Sequence, residues 1–115
     1  DIKTYMNEVT QVILTLLQNA EDILLEKQTQ NPYIKINTFE DDEYLYLQVI
    51  DNGGGIPQDI LDKIFDPYFS TKHEKNGSGL GLYFAKSIIE NNCDALLTVE
   101  NNQDEAVFTI RFKKE

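Results

Sequence analysis

Two glycine-rich runs carry the residue types best suited to chemistry, Asp51-Asn52-Gly53-Gly54-Gly55-Ile56-Pro57 and Gly77-Ser78-Gly79-Leu80-Gly81-Leu82. Glycines without side chains let backbone N–H groups approach a ligand closely, and two such hinges bounding one loop point to a nucleotide site. The commoner glycine motifs do not fit. A dinucleotide fingerprint needs G-x-G-x-x-G directly after a strand, whereas Gly77, Gly79 and Gly81 are spaced G-x-G-x-G and follow the polar run His73-Glu74-Lys75-Asn76. A P-loop needs a glycine followed by Lys and then Ser or Thr, which neither run supplies. Asn52-Gly53 alone could be a hairpin turn. The residues after it, Ile56-Pro57-Gln58-Asp59, read as a helix start and not a returning strand.

The elements that must position these runs follow from periodicity. Apolar residues from Tyr5 to Leu24 recur at steps of three and four, which predicts an amphipathic helix from about Tyr5 to Lys27, with a turn over Gln28 to Pro32 where the Asn31-Pro32 pair breaks it. Tyr33 to Phe39 and Tyr44 to Ile50 are rich in β-branched and aromatic residues and flank the acidic turn Glu40 to Glu43, so they predict an antiparallel hairpin. Pro57 to Ile64 is expected as a short helix and Leu80 to Asn91 as a longer one. Leu96 to Glu100 and Ala106 to Phe112 form a second strand pair around Asn101-Asn102-Gln103-Asp104. This order predicts an α/β (α+β) two-layer sandwich, a mostly antiparallel sheet with helices over one face.

The 115 residues make one domain, residues 1–115, with 41% hydrophobic and 26% charged residues, as in a folded chain. Twenty acidic against ten basic residues give a net charge of -10, which argues against direct nucleic-acid binding. Arg111 is the only arginine, so a bound nucleotide must be held by lysines, backbone N–H groups or a metal. The single cysteine, Cys93, excludes an internal disulfide and a cysteine zinc cluster, and reads as a buried inert thiol. No apolar stretch reaches the roughly 20 residues that cross a bilayer, so this piece is expected to be cytoplasmic without membrane contact, even where its parent is an inner-membrane sensor.

Asn19 on the first helix, DNGGGIP after a strand, Phe65-Asp66-Pro67-Tyr68-Phe69-Ser70-Thr71-Lys72, and GSGLGL follow one another in order. The chain thereby resembles the catalytic and ATP-binding domain of sensor histidine kinases, in the GHKL group with gyrase, MutL and heat-shock-chaperone ATPases. The resemblance covers nearly the whole chain. It implies a Bergerat-type fold with a mixed, mostly antiparallel sheet and an ATP lid, and it implies ATP and Mg2+ as ligands.

Carried onto this sequence, the resemblance assigns Asp51 to adenine, and an acceptor-only carboxylate suits the exocyclic amino group. Gly53, Gly55 and Ile56 shape the pocket floor. Gly77, Ser78, Gly79, Leu80 and Gly81 take the phosphates, in keeping with unpaired N–H groups at a helix start. Phe65 and Phe69 match the aromatic box of the lid, Lys72 is the catalytic candidate for the terminal phosphate, and Lys75 is a second. Asn19 matches the asparagine that offers magnesium an oxygen, and magnesium suits sparse protein ligation. His73-Glu74 resembles a phosphoacceptor pair but lacks helical periodicity around it, so the acceptor is expected on another domain.

The sequence departs from the pattern at Thr15, one turn before Asn19, where histidine kinases carry asparagine and the hydrolases carry glutamate. A threonine hydroxyl is a poor base for water. Glu21 is turned away on the helix, and Glu8 lies eleven residues from Asn19, about 16 Å along the axis. The resemblance thus implies transfer of the γ-phosphoryl of Mg-ATP to histidine on a helical dimerisation domain of the same parent, and onward to a response regulator. A GHKL hydrolase fragment and a non-catalytic adenine-nucleotide module stand as alternatives.

Overall fold

The computed structural model describes residues 6–67 and 81–114. Helix α1 spans Met6–Glu26 and buries Val9, Val12, Leu16, Ala20 and Leu24, the stripe that its three- and four-residue periodicity dictates. Its stop differs from the expectation that Asn31-Pro32 breaks it. Gln28 turns left-handed at φ 50°, the Gln28 N–H donates to Leu25 O (3.2 Å) and the Thr29 N–H to Leu24 O (3.2 Å). That bond pair is a Schellman stop, made here without glycine and upstream of the proline.

Strands β1 (Ile34–Glu40) and β2 (Tyr44–Asp51) form the expected hairpin. The Asp41 carboxylate accepts from the Glu43 N–H (2.9 Å) and the Tyr44 N–H (2.7 Å) and closes the turn. Those backbone donors, Tyr44 first, hold the Asp41 carboxyl below the ordinary carboxylate range. Strands β3 (Ala95–Asn102) and β4 (Glu105–Lys113) form the second pair. All four described strands are antiparallel in the order β1-β2-β4-β3, so the mixed sheet implied by the resemblance is purely antiparallel among the described residues.

The sheet has one packed face. Val49 and Asp51 of β2, Ala106, Phe108, Ile110 and Phe112 of β4 and Leu97 of β3 alternate inward with period two and are buried on the helix side. On the other face Asn37 donates to Gln48, which donates to Thr109, a polar ladder across three strands. β1 remains exposed along its whole length, Ile36 included.

Helix α2 spans Gly81–Ser87, and Leu80, the expected start, lies outside the described residues. It passes into a π-helical turn over Ile88–Asn92, closed by the Cys93 N–H donating to Ile88 O at 3.2 Å. The wider turn brings both Ile89 and Cys93 into the core. Residues 57–64 do not form the expected short helix. Their bonds run three residues back, Ile60 N–H to Pro57 O (3.1 Å) and Lys63 N–H to Ile60 O (2.8 Å), a chain of tight turns. So short a segment gains little from helix propagation, and tight turns already bring Ile56 and Ile64 into the core.

Phe108 is 2% exposed at the centre of the sheet and meets Phe65 edge to face at 6.1 Å. Phe108→Ala is expected to lower unfolding free energy by about 3–5 kcal/mol in urea titration, the usual cost of deleting a buried aromatic ring.

Candidate functional site

Among the described residues two buried side chains are polar, Asp51 at 2% exposure and Asn19 at 9%. They come from β2 and α1, which pack on each other. Asp51 is the last residue of β2 and points to the helix side of the sheet. Its Oδ1 accepts the Gly53 N–H at 2.9 Å. Burial pushes its carboxyl above the ordinary range, opposed by the Gly53 N–H and by the charge of Lys27.

The glycines differ in what they do. A Cβ on Gly53 would stand 2.7 Å from Ile23 Cγ2 and 3.0 Å from Asp51 Oδ1, so this residue is glycine because the loop lies flush on the end of α1. Gly55 has φ +77°, and its Cβ would stand 3.0 Å from Asn101 Oδ1. It needs both the left-handed backbone and the bare Cα.

Five hydrogen bonds that sequence reading missed, made by Asn52, Gly54 and Asn101, fix this loop. The Asn52 carboxamide accepts the Tyr33 N–H (2.8 Å) and donates to Asn31 O (3.0 Å), tying the loop to the α1–β1 connection. The Gly54 N–H donates to Asp104 O at 2.9 Å. The Asn101 carboxamide accepts the Ile56 N–H (2.8 Å) and donates to Ile56 O (2.7 Å). No local signal marks Asn101, which reads as a turn residue and meets Ile56 only through the fold.

The other end of the site lies along α1. A Cβ on Gly81, the first residue of α2, would stand 3.6 Å from Thr15 Cγ2. From Thr15 to Ile23 is about 12 Å of helix, with Asn19 midway. The start of α2, Asn19 and the Asp51 loop therefore follow one another along one helix. The Thr15 hydroxyl donates to Gln11 O at 3.1 Å, so its methyl faces Gly81. Glu8 lies toward Cys93, whose thiol is pushed up by burial and then by Glu8.

Phe65 is anchored on Phe108, and Lys86 Nζ lies 4.9 Å above its ring. Lys86 is itself held by Glu90 (2.7 Å) and Leu97 O (2.8 Å). Phe69, Lys72, Gly77, Ser78, Gly79 and Leu80 lie outside the described residues, as do His73 and Lys75.

Residues 5–115 match the family described as histidine kinase-, DNA gyrase B- and HSP90-like ATPase. The chain is 34% identical over 113 residues to the two-component sensor PprA of Pseudomonas aeruginosa, covering 96% of this chain and 12% of that protein. It is 31% identical over 109 residues to sporulation kinase A of Bacillus subtilis, covering 95% and 17%. The catalytic domain of histidine kinase ThkA, in a nucleotide-free form, superposes with a TM-score of 0.77 at 32% identity, covering 94% of this chain and 68% of that one. The chain belongs to this ATPase family and has the fold of a histidine kinase catalytic domain. It spans a small part of the length of these curated relatives.

Because folded Asp51 holds its proton to higher pH than the unfolded residue, its ionised form lowers stability above the raised pKa, and that penalty fades as pH falls through it. Asp51→Asn keeps an acceptor for the Gly53 N–H. The variant without nucleotide is expected to exceed wild type in urea stability at pH 7, the gap narrowing on acidification. Gly55→Ala is expected to lose about 1–3 kcal/mol in the same titration, from the strained φ and the Asn101 contact.

Proposed function

We propose that this domain binds Mg-ATP and, within a longer histidine kinase, serves transfer of the γ-phosphoryl to a histidine on a separate helical dimerisation domain, with a response regulator as the later acceptor. The observation that carries the reading is the pair of buried polar side chains, Asp51 at the end of β2 and Asn19 on α1, beside the Gly53–Gly55 turn that packs on α1 at Ile23.

In this reading Asp51 accepts the adenine amino group, and its carboxylate stays unsuited to a guanine carbonyl. Gly53, Gly55 and Ile56 form the floor under the base. Asn19 offers a side-chain oxygen to magnesium, a donor that suits a hard cation. The ion when bound neutralises phosphate charge. Gly77, Ser78, Gly79, Leu80 and Gly81 receive the phosphates, Phe69 contacts the nucleotide from the lid, and Lys72 supports the terminal phosphoryl. The domain would act on the cytoplasmic side; no helix among the described residues is long and apolar enough to cross a membrane. A hydrolytic reading has less support, since Thr15 stands where the hydrolases carry glutamate and its hydroxyl is a poor base for water.

Calorimetric titration with a non-hydrolysable ATP analogue and magnesium tests the assignment. Wild type is expected to bind, and Asp51→Asn to weaken binding by about 10–100-fold, because an amide N–H then faces the adenine amino group. Equal affinity in the two proteins would remove Asp51 from the site.

A further inference from the structure

We propose that Asn101 is a positioning residue for the nucleotide floor, holding the Asp51–Ile56 loop in its binding shape from the edge strand β3. The inference rests on the reading of Asp51 as the base acceptor.

Strand register places the two residues in one row. Asp51 pairs with Ala106, and Ala106 pairs with Asn101, so all three point to the helix face at the same end of the sheet. Two strand spacings separate Asp51 from Asn101, roughly 10 Å. The loop leaving Asp51 must cross the end of β4, over the small Ala106, to reach β3. Asn101 receives it there, and its carboxamide matches both polar groups of Ile56 as a neighbouring strand would. The Gly54 N–H bond to Asp104 O adds a second tie to the same β3–β4 turn.

The clamp also explains the backbone between the ties. With Ile56 pinned by Asn101 and Gly53 pressed on Ile23, Gly54 and Gly55 take up the turn at φ +96° and +77°. Without Asn101 the Ile56 N–H and C=O would turn to water or to other partners, and the floor would sample several shapes. A ligand would then select one of them, and its apparent affinity would fall by the fraction populated. Asn101 is itself exposed, so its replacement leaves the core intact.

The test is ADP titration by calorimetry well below the melting temperature, with wild type, Asn101→Ala, Asn101→Asp and Gln48→Ala. Gln48 bonds Asn37 and Thr109 on the opposite sheet face and controls for general loosening. Asn101→Asp keeps the acceptor for the Ile56 N–H and loses the donor to Ile56 O, which guards against a poorly folded alanine variant. Both Asn101 variants are expected to weaken ADP binding, the alanine about tenfold, the sum of two modest hydrogen bonds. Gln48→Ala should stay within about twofold of wild type. Wild-type affinity in either Asn101 variant, or an equal loss in Gln48→Ala, would overturn the inference. Failure of wild type to bind ADP would overturn the site reading itself.

Discussion

A carboxylate buried at the end of a central strand sets the terms for its surroundings. Asp51 loses most of its hydration, and burial raises its pKa, so the fold carries a charge it would be more stable without. What offsets the cost in part is one backbone donor, the Gly53 N–H, reached by turning the chain back on the side chain within two residues. That turn leaves no space for a Cβ at Gly53, since Ile23 of α1 already occupies it. The acidic residue, the glycine after it and the apolar end of α1 thus form one packing problem with one solution.

Helix α1 gives that local solution its reach. Its buried stripe seats it on β2, and the polar Asn19 lies within the same stripe without a break in helical spacing. Ile23 meets the glycine loop at one end and Thr15 meets the start of α2 at the other. The Asp51 loop, Asn19 and Gly81 therefore follow one another along a rigid rod. A rod fixes distances between ends that loops alone would leave to vary.

Much of this was legible in the sequence because it depends on short-range patterns. The helix stripe of Val9, Val12, Leu16 and Ala20 and the strand pairs follow from periods of three to four and of two. Asp51, Gly55 and the order of motifs carried the site. The gaps are tertiary. Asn101 holds Ile56 across 45 positions in sequence, and nothing in Asn101-Asn102-Gln103-Asp104 separates a clamp from a turn. Pro57 to Ile64 has helix-like composition, yet its bonds run three residues back. The end of α1 near Lys27 was legible, but its cause was not, because a left-handed Gln28 leaves no mark that a glycine would. Gly53 was legible as a glycine the loop needs, but the packing on Ile23 of α1 that requires it was not.

Thr15 shows how a departure from pattern acquires meaning only in three dimensions. In sequence it is a lost amide or carboxylate beside Asn19. In the fold its hydroxyl donates back to Gln11 O, as threonines in helices often do, and its methyl packs toward Gly81. The side chain therefore works as a spacer between α1 and the first turn of α2. A spacer there sets how closely α1 and α2 approach at Gly81.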